Sequence, residues 1–90
     1  MDITFDPEKR RKTLKERGLD FADSVRVFNG RSITALDDRF DYGEARYITY
    51  GYMDGRAVIL VWTPRSEVRR IISMRYANDR ERRYYEAALD

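Results

Sequence analysis

The stretch 45-ARYITYGYMDGRAVILVWTPRSEVRRIISMR-75 decides the fold. From Ala45 the side chains alternate, with Arg46, Ile48 and Tyr50 on one face and Tyr47 and Thr49 on the other, the period-two pattern of a strand. Asp54-Gly55 signals a tight turn. It leads into 57-AVILVWT-63, whose near-continuous apolar character marks a central strand covered on at least one face. Pro64-Arg65-Ser66 turns the chain again, and Val68 to Arg75 supplies a third strand. Strands joined by such short connections form a meander and therefore an antiparallel sheet. Trp62, in the middle of the apolar run, is most simply a core residue.

Working upstream, Ile3 to Phe5 reads as a short first strand. Asp6 is an N-cap, Pro7 takes the first helical position and Gly18 follows the C-cap, so a helix spans Pro7 to about Arg17. Its only inward residue is Leu14; otherwise it is a basic surface rod. Asp20 caps a second helix, about Phe21 to Phe28, with Phe21, Val25 and Phe28 as its apolar stripe. The segment from Asn29-Gly30 to about Gly43 reads as a loop. Downstream, Asn78 caps a final helix, and Glu81 completes an Asn-x-x-Glu variant of the capping box. Residues 1–90 therefore form a single α+β domain. Its expected order is β-α-α-β-β-β-α, with an antiparallel sheet and helices packed on one side of it.

Composition removes several classes of chemistry. The chain has no cysteine and no histidine, which excludes disulfides, thiolate metal sites and the commonest general base at neutral pH. A site without metal or cofactor is expected, in a reducing cytoplasm. The N-terminal segment lacks an apolar core after its charges and no apolar run is long enough to span a membrane, so neither an export signal nor a membrane span is expected.

Charge placement is more informative than the net charge of +2. Seven of the eighteen basic residues lie between Arg65 and Arg83, opposed only by Glu67, Asp79 and Glu81. Clustered guanidinium groups grip phosphate oxygens, and the interleaved Tyr76, Tyr84 and Tyr85 offer faces for unpaired bases. The same cluster also fits a solvated helix face with tyrosines packed on a sheet edge. The first helix gives a second basic patch, and the two would form one cleft if the helix lies beside the open sheet face. Glu44 and Arg46 share a strand face, where a salt bridge is the simplest reading. Asp37, Asp38 and Asp41 lack the ligand spacing of a calcium loop and read as an acidic solvent loop or a dock for a basic partner.

With these residues in view, the sequence resembles the BrnT family of type II toxins, ribonucleases held silent by a BrnA antitoxin. The resemblance rests on 5-FDPEKRRKTLKERG-18, 21-FADSVRVF-28, 38-DRFDYGEARY-47, 55-GRAVILVWTPR-65 and above all 70-RIISMRYANDRERRYYE-86. It implies a RelE-like fold and RNA cleavage that inhibits translation. It also implies an antitoxin with a ribbon-helix-helix domain, so that DNA is touched only through the partner, in a complex that the family allows to be 2:2. Two departures stand out: Glu16-Arg17-Gly18 replaces the family's Lys-His-Gly, and Ser73-Met74-Arg75 its Ser-Ala-Arg.

The resulting expectation is metal-independent attack of an RNA 2′-hydroxyl on the adjacent phosphate. Arg75 and Arg70 stand near that phosphate, with Arg65 and Arg46 as supporting binders. Lys15, Arg17, Arg80 and Arg83 hold flanking RNA, and Glu44, Tyr76 and Lys15 are the candidate proton acceptors. Strict alternation would put Arg70 on the face opposite Arg75. The alternative is a non-catalytic RNA- or partner-binding module of the same fold, an alternative that the missing histidine supports.

Overall fold

Asp54 and Gly55 take positive φ angles of 50° and 81°, the left-handed pair that a two-residue hairpin requires. They join the two central strands, β3 (Tyr47–Met53) and β4 (Arg56–Arg65). The computed structural model, which describes residues 2–89, places around them β1 (Asp2–Phe5), β2 (Ile33–Leu36), β5 (Val68–Tyr76) and the helices α1 (Pro7–Arg17), α2 (Ser24–Asn29) and α3 (Asp79–Leu89). The five strands form one sheet in the order β1-β5-β4-β3-β2. The α+β class is as expected.

Three features of the expected architecture are corrected. β1 runs parallel to β5, with Phe5 opposite Ile71, so the sheet is mixed rather than antiparallel. The order gains a strand, β2, which pairs antiparallel with β3 along the outer edge; its four residues are mostly exposed and carry no alternating pattern to betray them. The helices also lie on both sides of the sheet. A Cβ on Gly51 would stand 2.6 Å from Val27 Cγ1 of α2, whereas Tyr50, the preceding residue and so on the opposite face, stacks on Tyr85 of α3 at 5.0 Å.

The core fills the α2 side. Leu19, Phe21, Val27, Val58, Leu60 and Met74 are all essentially inaccessible there. Thr49 completes it with polar bonds: Trp62 Nε1 donates to its hydroxyl at 2.9 Å, and Thr34 Oγ1 lies 2.7 Å away. Phe21–Asp23 form a 3-10 turn capped by Asp20, with three residues per turn. The inward residues are consequently Phe21, Ser24 and Val27, and Val25 is exposed rather than part of the stripe.

Both caps of α1 form as expected: Asp6 accepts from Glu8 N at 2.9 Å, and Gly18, at φ 70°, donates to Leu14 O. Leu14 itself is 43% exposed, not inward. The reason is that polar bonds anchor this helix. Arg10 grips Asp20 bidentately at 2.7 and 2.9 Å, and Arg17 Nη1 donates to Met74 O at 3.0 Å on β5.

At Gly51 the sheet and α2 leave no room for a Cβ. We expect Gly51→Ala to destabilise the protein by about 1–3 kcal/mol through overpacking against Val27, measured as a lower midpoint in urea. Unchanged stability would mean that α2 can shift away at no cost.

Candidate active site

The decisive local feature is a bulge in β5. Ser73 pairs with Val61 and Ile71 with Trp62, which leaves Ile72 as an extra residue. The extra residue resets the alternation. Arg70, opposite Thr63, therefore lies on the same face as Ser73 and Arg75, contrary to strict alternation, and Arg65 at the end of β4 shares that face. Three guanidinium-bearing positions thus line the sheet surface opposite α2. One end of this surface is covered by α3, while Ser73, Val61 and Arg70 remain partly open.

Arg75 is held tightly. Its Nη1 and Nη2 donate to the two carboxylate oxygens of Glu81 at 2.8 and 2.7 Å, a fork-on-fork pair. Glu81 is fixed in turn by the expected capping box, accepting from Asn78 N at 3.0 Å while its own N–H donates to Asn78 Oδ1 at 2.8 Å. The Arg75 guanidinium holds the Glu81 carboxyl below the usual carboxylate range, so this carboxylate is a weak base but a firm support. Beside it, burial pushes the Tyr85 phenol up.

The loop between β2 and β3 adds charge that the sequence reading missed. Asp37 is buried, not solvated, and accepts from Arg39 Nε at 2.8 Å, Arg39 Nη2 at 3.0 Å and the Tyr42 hydroxyl at 3.3 Å. These bonds, Arg39 first, lower its carboxyl pKa. An arginine two residues after an aspartate was the available signal, but its burial could not be read. Arg46 does not pair with Glu44. Its guanidinium lies 4.0 Å from the centre of the Tyr42 ring, and Glu44 instead meets Arg65 at 3.5 Å.

The remaining predicted residues are more scattered. Arg17 reaches the β5 edge, where Lys9, Lys12, Arg17, Ile72 and Ser73 border a cleft of 250 Å³, so the first helix does adjoin the β5 end of the sheet. Lys15 is exposed on α1, and Arg80 and Arg83 are exposed on α3; none has an ion-pair partner among the described residues. Tyr76 pairs with Val58 on the α2 side and sits under Arg56 at 3.8 Å, away from the Arg75 face. Among the described residues no three acidic side chains gather in a metal-holding group.

Asp20, Asp37 and Glu81 all have depressed carboxyl pKa values because each is gripped by an arginine. A depressed folded value adds stability above the unfolded pKa of about 4, and that stability is lost as pH falls through the folded value. We expect the unfolding midpoint to be flat from about pH 7 to 5 and to drop below about pH 4. Asp37→Asn should lessen the drop; an equally steep decline in that variant would deny the Asp37 pair its part.

The fold is an α+β domain with arginines along one sheet face and a lysine-rich helix beside it, a chemistry suited to phosphate oxygens. The sequence profile that describes the BrnT ribonuclease toxins of type II toxin–antitoxin systems matches residues 5–81. The chain belongs to that family and is a ribonuclease toxin with an antitoxin as its counterpart. No curated protein matches it in sequence. Among the described residues no helix is long and apolar enough to cross a membrane.

Proposed function

We propose that this toxin is a metal-independent endoribonuclease of RelE-like fold, one BrnT-like domain over residues 1–90, acting in the cytoplasm to inhibit translation. In the reaction, the 2′-oxygen attacks the adjacent phosphorus and the bond to the 5′-oxygen breaks. The products are a 2′,3′-cyclic phosphate and a 5′-hydroxyl that takes up a proton. Charge accumulates on the phosphoryl oxygens, and fixed guanidinium groups stabilise it without reorganising. Arg75 is assigned to those oxygens, with Arg70, Arg65 and Arg46 supporting, while Lys15, Arg17, Arg80 and Arg83 hold flanking backbone.

The observation that carries this reading is the alignment of Arg65, Arg70 and Arg75 on one face, with Arg75 oriented by Glu81. Glu44 and Lys15 are the proton acceptors proposed. Tyr76 is set aside because it faces the other side of the sheet. The antitoxin is proposed to be BrnA-like, with a ribbon-helix-helix domain that makes the DNA contacts, in a 2:2 complex. Five exposed apolar side chains, Leu14, Val25, Leu36, Phe40 and Tyr84, lie outside the core among the described residues.

Induced expression in a bacterial host tests the reading. Growth should stop and cellular RNA should fragment, and co-expression of the antitoxin should prevent both. Normal growth and whole RNA despite folded protein would favour the non-catalytic binding module instead.

A further inference from the structure

Loop 37–46 is ordered around its own bonds. Asp37 binds both Arg39 and Tyr42, Asp37 N donates to Arg46 O at 2.7 Å, and Asp41 Oδ1 accepts from Gly43 N at 2.9 Å, where φ is 72°. On this closed loop Phe40 is 68% exposed. Its ring meets Tyr42 edge-to-face at 5.8 Å, and Tyr42 in turn carries the Arg46 guanidinium.

A slack loop would fold such a ring inward to remove it from water. Here the buried Asp37 carboxylate, gripped by Arg39 and Tyr42, fixes the loop, and the ring stays outside. Its position matters as well: Tyr42, against which Phe40 packs, carries Arg46, two residues before Ile48 and so on the Val61 side of the sheet, and Glu44 of the same loop meets Arg65 of that face. A bare aromatic face is thus held at the rim of an arginine-lined surface.

We propose that Phe40 is a stacking platform for an unpaired nucleobase adjoining the phosphate on the Arg75 face, so that the toxin selects single-stranded substrate. Aromatic side chains beside cationic grooves hold bases in this way, without sequence preference, because every base offers a π-face. Duplex RNA keeps its bases inside the stack and cannot use the platform. The proposal rests on the ribonuclease reading of that face and adds the part that recognises the base.

The test uses the full chain with a short single-stranded DNA, which lacks the 2′-hydroxyl and cannot be cleaved by the proposed route, and an abasic strand of equal length. Phe40→Ala should weaken binding of the base-bearing strand by roughly ten- to a hundredfold and leave the abasic strand unaffected. Phe40→Trp should retain affinity, and its added emission, taken against the wild-type Trp62 background, should be quenched by the base-bearing strand alone. Equal affinity of Phe40→Ala and wild type for the base-bearing strand, or equal losses for both strands, would overturn the platform while Arg75-dependent cleavage stood. Failure of the wild type to bind either strand would overturn the platform together with the reading beneath it. Emission shifted by the antitoxin and not by DNA would overturn it in favour of a protein contact.

Discussion

Arg75→Ala is expected to lower RNA cleavage by at least about a hundredfold, the loss that follows when one fixed donor to a developing oxyanion is removed. Arg75 is half-buried, its fork is locked by both Glu81 oxygens, and the capping box holds Glu81 at the start of α3. A fixed guanidinium is worth more to a transition state than a mobile one because it need not be reoriented during reaction. Arg75→Lys keeps the charge but loses the two-pronged grip and should fall between wild type and alanine. Removing Arg75 also leaves Glu81 without its partner, so both variants must be shown to be folded; the buried, single Trp62 is the natural fluorescent reporter. A folded Arg75→Ala protein with wild-type cleavage would remove Arg75 from the mechanism.

The largest effect on stability is expected at Phe21. Its ring is wholly inaccessible and packs edge-to-face on Phe5 at 6.0 Å, joining the 3-10 turn to β1 among Leu19 and Val27. Phe21→Ala should cost about 3–5 kcal/mol, against a total of roughly 5–15 kcal/mol for a domain of this kind. Each kcal/mol lowers Tm by about 4–8 °C at this size, so thermal unfolding followed by Trp62 emission will display the change plainly. A loss below about 1 kcal/mol would mean that the α2 side repacks freely and is not the single core described here.

What the sequence made legible was whatever local chemistry determines. Asp6, Gly18 and the Asn78–Glu81 pair state their caps within a few residues, and Asp54-Gly55 states its turn. Features set by distant partners were hidden. The direction of β1 depends on how the chain returns to β5, the strand nature of Ile33–Leu36 depends on its pairing with β3, and the side taken by α3 depends on Tyr50 meeting Tyr85. The same division holds in the site. Arginine enrichment and the family resemblance together pointed to Arg75 and Arg70, but only the Ile72 bulge shows that they share a face, and only the folded chain shows Glu81 gripping Arg75. Tyr76 follows Arg75 in sequence and for that very reason faces away from it.

The most direct measurement is incubation of the purified toxin with single-stranded RNA in excess chelator, with the chemical ends of the fragments identified. Cleavage that persists, leaves 2′,3′-cyclic phosphate and 5′-hydroxyl ends, and spares a strand with deoxyribose at the scissile position is the result predicted for arginine-stabilised attack by the 2′-oxygen. Cleavage that ceases in chelator and leaves 5′-phosphate ends when metal is restored would contradict it.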